Sequence, residues 1–123
     1  MGIDQQDILR ALDDLRTTQL PGTSAHAVFY ESGMGDRNAA LMKNGNPRLS
    51  GVAAILAPVN GKANVVLIKR PEYQGAHSGQ MAFPGGKKED EDKDLLETAL
   101  RETHEEVGVP ASALSHVREL TKV

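Results

Sequence analysis

The sequence predicts a domain of the α/β (α+β) class, in which strands and helices share one core. Three observations support this prediction: an amphipathic helical pattern at residues 4–17, a hairpin pattern at residues 51–70, and a second helical pattern at residues 94–107. The chain has 123 residues, which is enough for one domain and short for two. We therefore expect a single domain over residues 1–123.

The first helical pattern begins after Asp4, whose side chain can cap a helix. Its apolar residues recur at helical spacing. They are Ile8, Leu9, Leu12 and Leu15. After this helix, a short strand is expected at residues 25–30, and the Gly, Asn, Asp and Pro residues spread over residues 33–47 favour a loop.

The hairpin pattern consists of two apolar runs around an Asn-Gly pair. Asn60 and Gly61 form the dipeptide that gives the strongest short-range hairpin signal. The runs on either side, within residues 51–70, are rich in Val, Ile, Leu and Ala. We expect a polar connection over residues 71–82 and then a turn at Phe-Pro-Gly-Gly, residues 83–86, because proline lacks a backbone N–H.

The second helical pattern has recognisable signals at both ends. Asp94 and Glu97 match a capping box at the start, and Gly108 stands where a left-handed glycine ends a helix. One stripe of this helix is expected to be buried. It comprises Leu96, Ala99, Leu100, Thr103 and Val107.

Composition excludes several classes of protein. A formal net charge of −3 argues against nucleic-acid backbone as the main partner. The absence of cysteine excludes disulfides, thiolate metal sites and a cysteine nucleophile. No apolar run approaches the ~20 residues that span a bilayer, and the first residues do not resemble a secretory signal. We therefore expect a cytoplasmic protein that binds neither nucleic acid nor a membrane.

Three carboxylates share one face of the second helix. Glu102, Glu105 and Glu106 lie at positions i, i+3 and i+4. A divalent cation would offset their repulsion, and all-oxygen ligands favour Mg²⁺ or Mn²⁺. Arg101 lies one turn from both Glu97 and Glu105 and can pair with either. The alternative interpretation is a solvated acidic face without a ligand, which is common on surface helices.

The residues around this helix resemble the signature of the Nudix hydrolase family. That signature reads Gly, five residues, Glu, seven residues, and then Arg-Glu-apolar-x-Glu-Glu-x-Gly-apolar. The matching residues are Gly86, Arg101, Glu102, Glu105, Glu106, Gly108 and Val109. Gly86 and Arg101 are one residue further apart than usual, and Thr103 stands where an apolar residue is usual. The middle acid of the signature is then Asp92.

The resemblance implies a fold and a chemistry for the Nudix box at residues 86–109. The implied fold is a mixed sheet sandwiched between helices, in which the box forms a loop and the catalytic helix. The implied reaction is hydrolysis of a nucleoside diphosphate linked to another group, with Mg²⁺ or Mn²⁺ as cofactor. The implied metal ligands are Glu102, Glu105, Glu106 and the carbonyl of Gly85. Arg101 is implied to orient a glutamate, and either Glu102 or Glu105 is implied to take the proton of the attacking water.

The segment before the box resembles the additional motif of Nudix enzymes that cleave coenzyme A and its derivatives. The matching residues are Val66, Leu67, Arg70, Gly79, Phe83, Pro84, Gly85 and Gly86. A box loop that is one residue longer is also a feature of this subgroup. Ile68 and Gly75 depart from the motif, which has Thr and Arg at these places. The implied substrate is coenzyme A or an acyl-coenzyme A. The alternatives are ADP-ribose or a nucleotide sugar, and a non-catalytic module that only binds a nucleotide.

Three residues of this segment are candidates for substrate binding. Arg70 either meets phosphate or solvates the end of a strand. His77 either contacts the substrate or hydrogen-bonds within its own loop, and Gly79 belongs to the motif.

The fold implied by the resemblance contains further strands and a helix after the catalytic helix. Residues 113–123 can supply one more strand. We therefore expect the C-terminal part of the domain to be missing from this chain. Exposed sheet edges and apolar surface would then favour a homodimer, and the chain would bind metal but hydrolyse poorly alone.

Overall fold

The computed structural model of the chain describes residues 3–22, 24–25, 27, 45, 47–75 and 77–122. Within these ranges, helices and strands combine, which confirms the α/β (α+β) class. The elements are α1 Gln5–Thr17, β1 Ser50–Val52, β2 Ile55–Val59, β3 Lys62–Val66, β4 Ile68–Lys69, β5 Met81–Ala82, β6 Gly85–Lys87, α2 Leu95–Val107 and a 3-10 helix at Ala111–Ala113.

The described strands pair as three two-stranded antiparallel sheets. These are β1 with β6, β2 with β3, and β4 with β5. None of the helices in the described ranges is both long enough and apolar enough to cross a membrane.

Helix α1 forms where its apolar spacing and its cap predict it. Asp4 is the N-cap, and its carboxylate accepts a hydrogen bond from the backbone N–H of Gln6 at 2.7 Å. The backbone N–H of Gln5 donates to the carbonyl of Gly61 at 3.1 Å, which holds the start of α1 against the β2–β3 turn. The apolar residues Ile8, Leu9 and Leu12 face this hairpin across a cavity of about 170 Å³.

The β2–β3 hairpin is shorter than the sequence pattern suggests. Asn60 and Gly61 have φ of 52° and 74°, the positive values that a type I′ turn requires. Residues outside this hairpin pair elsewhere: β1 with β6 and β4 with β5. The expectation of one hairpin over residues 51–70 is therefore wrong at both ends, because the apolar runs carry no information about which strand completes their hydrogen bonds.

Two expected segments lie largely outside the described residues. Of the strand expected at residues 25–30, only Ala25 and Ala27 are described, and both are helical. Of the loop expected at residues 33–47, the structure describes Gly45 and Pro47.

Helix α2 has the bounds that its capping signals predict. The carboxylate of Asp94 accepts from the backbone N–H of Glu97 at 2.8 Å, and Glu97 accepts from the backbone N–H of Lys93 at 2.7 Å. At the other end, Gly108 is left-handed with φ 71°, and its N–H donates to the carbonyl of His104 at 3.0 Å.

The most enclosed part of the described chain is where α2 lies on β1 and β6. An added Cβ at Gly51 would lie 2.4 Å from the carbonyl oxygen of Leu95, so only glycine allows this close approach. Of the stripe expected to be buried, Ala99 and Thr103 are buried, whereas Leu96, Leu100 and Val107 are half-buried. Thr98 is also fully buried, although the apolar pattern does not include it.

The hydroxyl of Thr103 is buried and has no hydrogen-bond partner. Burying a hydroxyl without a partner destabilises a protein by about 1–3 kcal/mol. Replacing Thr103 by valine keeps the shape of the side chain and removes the hydroxyl. We therefore expect Thr103→Val to raise the free energy of unfolding by about 1 kcal/mol, measured by chemical denaturation. Thr103→Ser, which keeps the hydroxyl and loses the methyl group, should lower it. A loss of stability in Thr103→Val would contradict the prediction.

Candidate active site

Arg101 lies at the centre of the site, and all of its N–H groups have acceptors. Its Nε and Nη2 donate to the two carboxylate oxygens of Asp92 at 3.0 and 2.9 Å. Nη2 also donates to the carbonyl of Lys87 at 3.1 Å. Nη1 donates to Glu102 at 3.0 Å and to Glu105 at 3.3 Å. The five donors of a guanidinium are thus all used, which fixes the plane of the group.

Asp92 is the buried anchor of this network. Its side chain is 4% exposed. It accepts from Arg101, from the backbone N–H of Glu89 at 3.0 Å and from the hydroxyl of Thr98 at 2.9 Å. The hydrogen bonds from Arg101, and then that from Glu89, hold the pKa of the Asp92 carboxyl well below its usual range, although burial acts in the opposite direction. Hydrogen bonding to Asp92 in turn raises the pKa of Arg101. Both groups are therefore charged at neutral pH.

A loop at residues 88–94 joins β6 to α2. Lys88 donates through Nζ to the carbonyls of Glu89 and Asp92 and so closes this loop. The loop places Asp92 against Arg101 despite the longer spacing between them.

Glu102 lies against a glycine that makes room for it. Its side chain is 17% exposed. An added Cβ at Gly86 would lie 2.4 Å from one of the Glu102 carboxylate oxygens, so the absence of a side chain at Gly86 creates the space that the carboxylate fills.

Glu106 and Glu105 complete the acidic face of α2. Glu106 accepts from the backbone N–H of Gly85 at 2.9 Å. The side chain of Glu105 is 56% exposed and is tied to the network through Arg101. The structure thus places Glu102 and Glu106 against the Gly85–Gly86 backbone, whereas Glu105 contacts Arg101.

The carboxylates of Glu102, Glu105 and Glu106 each accept a hydrogen bond from an N–H donor. In the described part of the chain, no three His, Asp or Glu side chains form a ready cluster for a metal ion. Instead, Nη1 of Arg101 supplies the positive charge that Glu102 and Glu105 share. The donor set still fits a hard divalent cation, because it consists of carboxylate oxygens beside a backbone without side chains at Gly85 and Gly86.

Arg101 pairs differently from the sequence expectation. It contacts Glu105, as expected, but its strongest partner is Asp92. Glu97, the other expected partner, instead accepts from the Lys93 backbone. The helical spacing could not reveal this, because Asp92 precedes the helix. The position of Asp92 in the box signature was the only available signal.

The three candidate substrate-binding residues lie together in the β4–β5 connection. The backbone N–H of Arg70 donates to the carbonyl of Gln80 at 2.9 Å. His77 has φ 66°, and its Nδ1 lies 3.0 Å from the side-chain oxygen of Gln80. Gly79 has φ 66°, and its N–H donates to the carbonyl of Pro71 at 3.3 Å. These contacts are internal to the connection and do not link it to the carboxylates of α2.

A shallow groove of about 310 Å³ runs along α2 beside the network. It is lined by Glu97, Leu100, Arg101, His104, Pro110 and Ala111. His104 is exposed, as expected for a residue off the acidic face. Arg101 forms part of the wall of this groove, and its side chain is 22% exposed.

We expect Gly86→Ala to lower kcat/KM by about 10²-fold, because the new methyl group displaces the Glu102 carboxylate by about 1 Å. Stability should change little, since the colliding atoms are the far end of a flexible side chain. Gly61→Ala is the matched control. It strains a turn with φ 74° that lies outside the network, and so should lower stability without lowering activity. Thermal unfolding and steady-state rates of both variants test this prediction. Full activity in Gly86→Ala would contradict it.

Comparison with known protein families gives a match. The family model described as the NUDIX domain matches residues 47–123. The match covers more than half of the chain, and the chain belongs to the Nudix family.

Curated proteins that are similar in sequence to this chain are also named Nudix hydrolases. A protein named Uncharacterized Nudix hydrolase NudL, from Yersinia enterocolitica serotype O:8, is 44% identical over 70 residues, which cover 55% of this chain and 36% of the relative. A protein of the same name from Yersinia pestis (strain Pestoides F) is 44% identical over 64 residues, or 50% of this chain and 32% of the relative. The chain spans about a third of the length of these relatives. No solved structure matches the chain.

Proposed function

We propose that this chain forms the catalytic centre of a metal-dependent hydrolase that cleaves the pyrophosphate bond of a nucleoside diphosphate derivative. The observation that supports this most strongly is the fully bonded Arg101, which ties Glu102 and Glu105 to the buried anchor Asp92. A solvated acidic face would have no need of this arrangement, because exposed charges are stable in water without fixed partners. Membership of the Nudix family supports the same reaction class.

In this proposal Glu102, Glu105, Glu106 and the carbonyl of Gly85 hold Mg²⁺ or Mn²⁺. The ion supplies Lewis acidity and positive charge for the diphosphate. Arg101 orients Glu102 and Glu105 through Nη1, while Asp92 holds the opposite edge of the guanidinium. Nη1 meets only one carboxylate oxygen of Glu102, which leaves the other oxygen for the cation.

One of two glutamates accepts the proton of the attacking water, Glu102 or Glu105. Exposure favours Glu105, whose side chain is 56% exposed against 17% for Glu102. The more exposed carboxylate is the more accessible to water. Glu102 fills the space beside Gly86 and accepts from Arg101, as suits a group with a positioning role.

We propose coenzyme A or an acyl-coenzyme A as the substrate, bound in part by Arg70, His77 and Gly79. The motif before the box supports this, as does the close spacing along the chain between the β4–β5 connection and β6. The motif of the coenzyme A subgroup has an arginine where this chain has Gly75. Here the ring of Tyr73 lies 2.7 Å from the place of an added Cβ, so an arginine there would require Tyr73 to move.

The departure at Gly75 favours a second candidate, an ADP-ribose or nucleotide-sugar pyrophosphatase, which has no need of that arginine.

A cytoplasmic location and a homodimer are further parts of the proposal. The exposed apolar side chains of β1, β5 and the turn after β5, among them Val52, Met81 and Phe83, support self-association.

The test is a substrate panel with identification of the products. Coenzyme A, ADP-ribose and a dinucleoside polyphosphate are each incubated with the chain and Mg²⁺ or Mn²⁺. We expect coenzyme A to yield 3′,5′-ADP and 4′-phosphopantetheine. AMP and ribose phosphate from ADP-ribose alone would favour the second candidate, and nucleotide binding without any product would favour a binding module.

A further inference from the structure

Thr98 is a buried polar residue that the reaction itself does not use. Its side chain is fully buried. Its hydroxyl lies 2.9 Å from a carboxylate oxygen of Asp92 and 3.2 Å from the carbonyl of Asp94. One hydroxyl has one proton, and the charged acceptor is the closer and the stronger of the two. Thr98 therefore donates to Asp92.

The hydrogen bond from Thr98 fixes the carboxylate of Asp92, and that carboxylate in turn fixes the guanidinium of Arg101. The Asp92 oxygen that accepts from Thr98 also accepts from Nη2 of Arg101 and from the backbone N–H of Glu89. Thr98 and Arg101 lie three residues apart on α2, so both donors reach Asp92 from one face of the helix. Thr98 thus resists rotation of the carboxylate away from α2.

The rest of the Thr98 side chain is also held in place. Its Cβ lies 3.2 Å from the position of an added Cβ at Gly51, so the close approach of β1 confines the Thr98 side chain. A threonine on a helix has two main χ1 rotamers, and the one adopted here directs the hydroxyl to Asp92.

We propose that Thr98 is a positioning residue of the active site, acting through Asp92 and Arg101 on the orientation of Glu102 and Glu105. The path is a chain of direct hydrogen bonds: Thr98 to Asp92, Asp92 to Arg101, and Nη1 of Arg101 to both glutamates. The effect of Thr98 on metal binding and turnover rests on the proposed function. The effect of Thr98 on the orientation of Arg101 does not depend on that function.

The chain offers a matched control on the same helix. Thr103 is as fully buried as Thr98, but its hydroxyl has no partner. Thr98→Val and Thr103→Val therefore make the same chemical change at equal depth, and only the first removes a hydrogen bond. Thr98→Ala and Thr98→Ser form a second pair, which differs by the hydroxyl alone and remains usable if Thr98→Val does not fold.

The first readout is hydrogen exchange at Nε of Arg101, followed by NMR on ¹⁵N-labelled protein. The signal is assigned by its loss in Arg101→Lys. We expect exchange to be slow in the wild type and in Thr103→Val, and at least about 10-fold faster in Thr98→Val and Thr98→Ala. Thr98→Ser should restore slow exchange. This readout requires neither metal nor substrate.

The second readout is Mn²⁺ binding, followed by electron paramagnetic resonance. Changes to groups that orient metal ligands weaken binding by about 10–100-fold. We expect about 10-fold weaker binding in Thr98→Val and Thr98→Ala, with Thr98→Ser and Thr103→Val close to the wild type.

The two readouts separate the proposals. If the exchange rate at Nε of Arg101 and the Mn²⁺ affinity are the same in Thr98→Val as in Thr103→Val, the positioning role of Thr98 is overturned. A wild type that binds no Mn²⁺, with exchange at Arg101 still dependent on the Thr98 hydroxyl, would overturn the proposed function and leave the positioning role standing.

Discussion

Glu105→Gln is expected to lower the turnover number on the order of 10³-fold while the chain stays folded, a size typical for loss of a catalytic charge. The substitution removes the negative charge that would bind the cation or accept the proton. The amide oxygen can still accept from Nη1 of Arg101, whose present distance to Glu105 is 3.3 Å. Because the side chain is 56% exposed, little packing is disturbed. Steady-state rates at saturating Mn²⁺, together with thermal unfolding, check the prediction.

Glu97→Gln is the control for this variant. It makes the same change on the same helix, but the Glu97 carboxylate accepts from the Lys93 backbone and not from Arg101. Its activity should stay near that of the wild type. Near-normal turnover in a folded Glu105→Gln would show that Glu105 has been misassigned.

Asp92→Asn is expected to reduce both stability and activity, by several degrees in Tm and by about 10–100-fold in kcat/KM. The amide presents one oxygen where the carboxylate presents two, so Arg101 loses its paired acceptors. The new NH₂ group would also face the N–H donors of Arg101, Glu89 or Thr98 in a site that is 4% exposed. A buried donor without an acceptor destabilises the fold.

The difference in stability between the wild type and Asp92→Asn depends on pH in a direction that follows from the pKa of Asp92. The pKa of Asp92 is lower in the folded chain than in the unfolded one, chiefly through Arg101. Its ionised form therefore stabilises the fold at every pH above its unfolded pKa of about 4, and this contribution is lost as the pH falls through the lower, folded pKa. The difference in stability between wild type and Asp92→Asn should be constant near neutral pH and should shrink below pH 4.

Asp94→Asn serves as the control for Asp92→Asn. Asp94 caps α2 at the surface through one hydrogen bond to the Glu97 backbone, and asparagine caps helices about as well. We expect its stability and activity to remain close to those of the wild type. Equal effects of the two substitutions would mean that Asp92 acts only as a general charge near the helix start.

Whether a structural feature can be predicted from the sequence depends on how far apart along the chain the residues that form it lie. Helix α2 could be predicted with its bounds, because its cap at Asp94 and its stop at Gly108 are local signals. The turn at Asn60 and Gly61 could be predicted for the same reason. The partners of β1 and β4 could not, because they lie more than ten residues away along the chain and no local pattern specifies the pairing.

The amino-acid sequence by itself determined that Glu102, Glu105 and Glu106 share one face of a helix next to a glycine pair, because helical geometry follows from neighbours three and four positions apart. Only the tertiary structure decided what these carboxylates contact. Arg101 meets Asp92 and the Lys87 carbonyl, Glu106 meets the Gly85 backbone, and Thr98 turns its hydroxyl to Asp92. These contacts join α2 to the loop and the strand that precede it. They depend on the close packing of α2 on β1 and β6, which no local pattern of residues encodes.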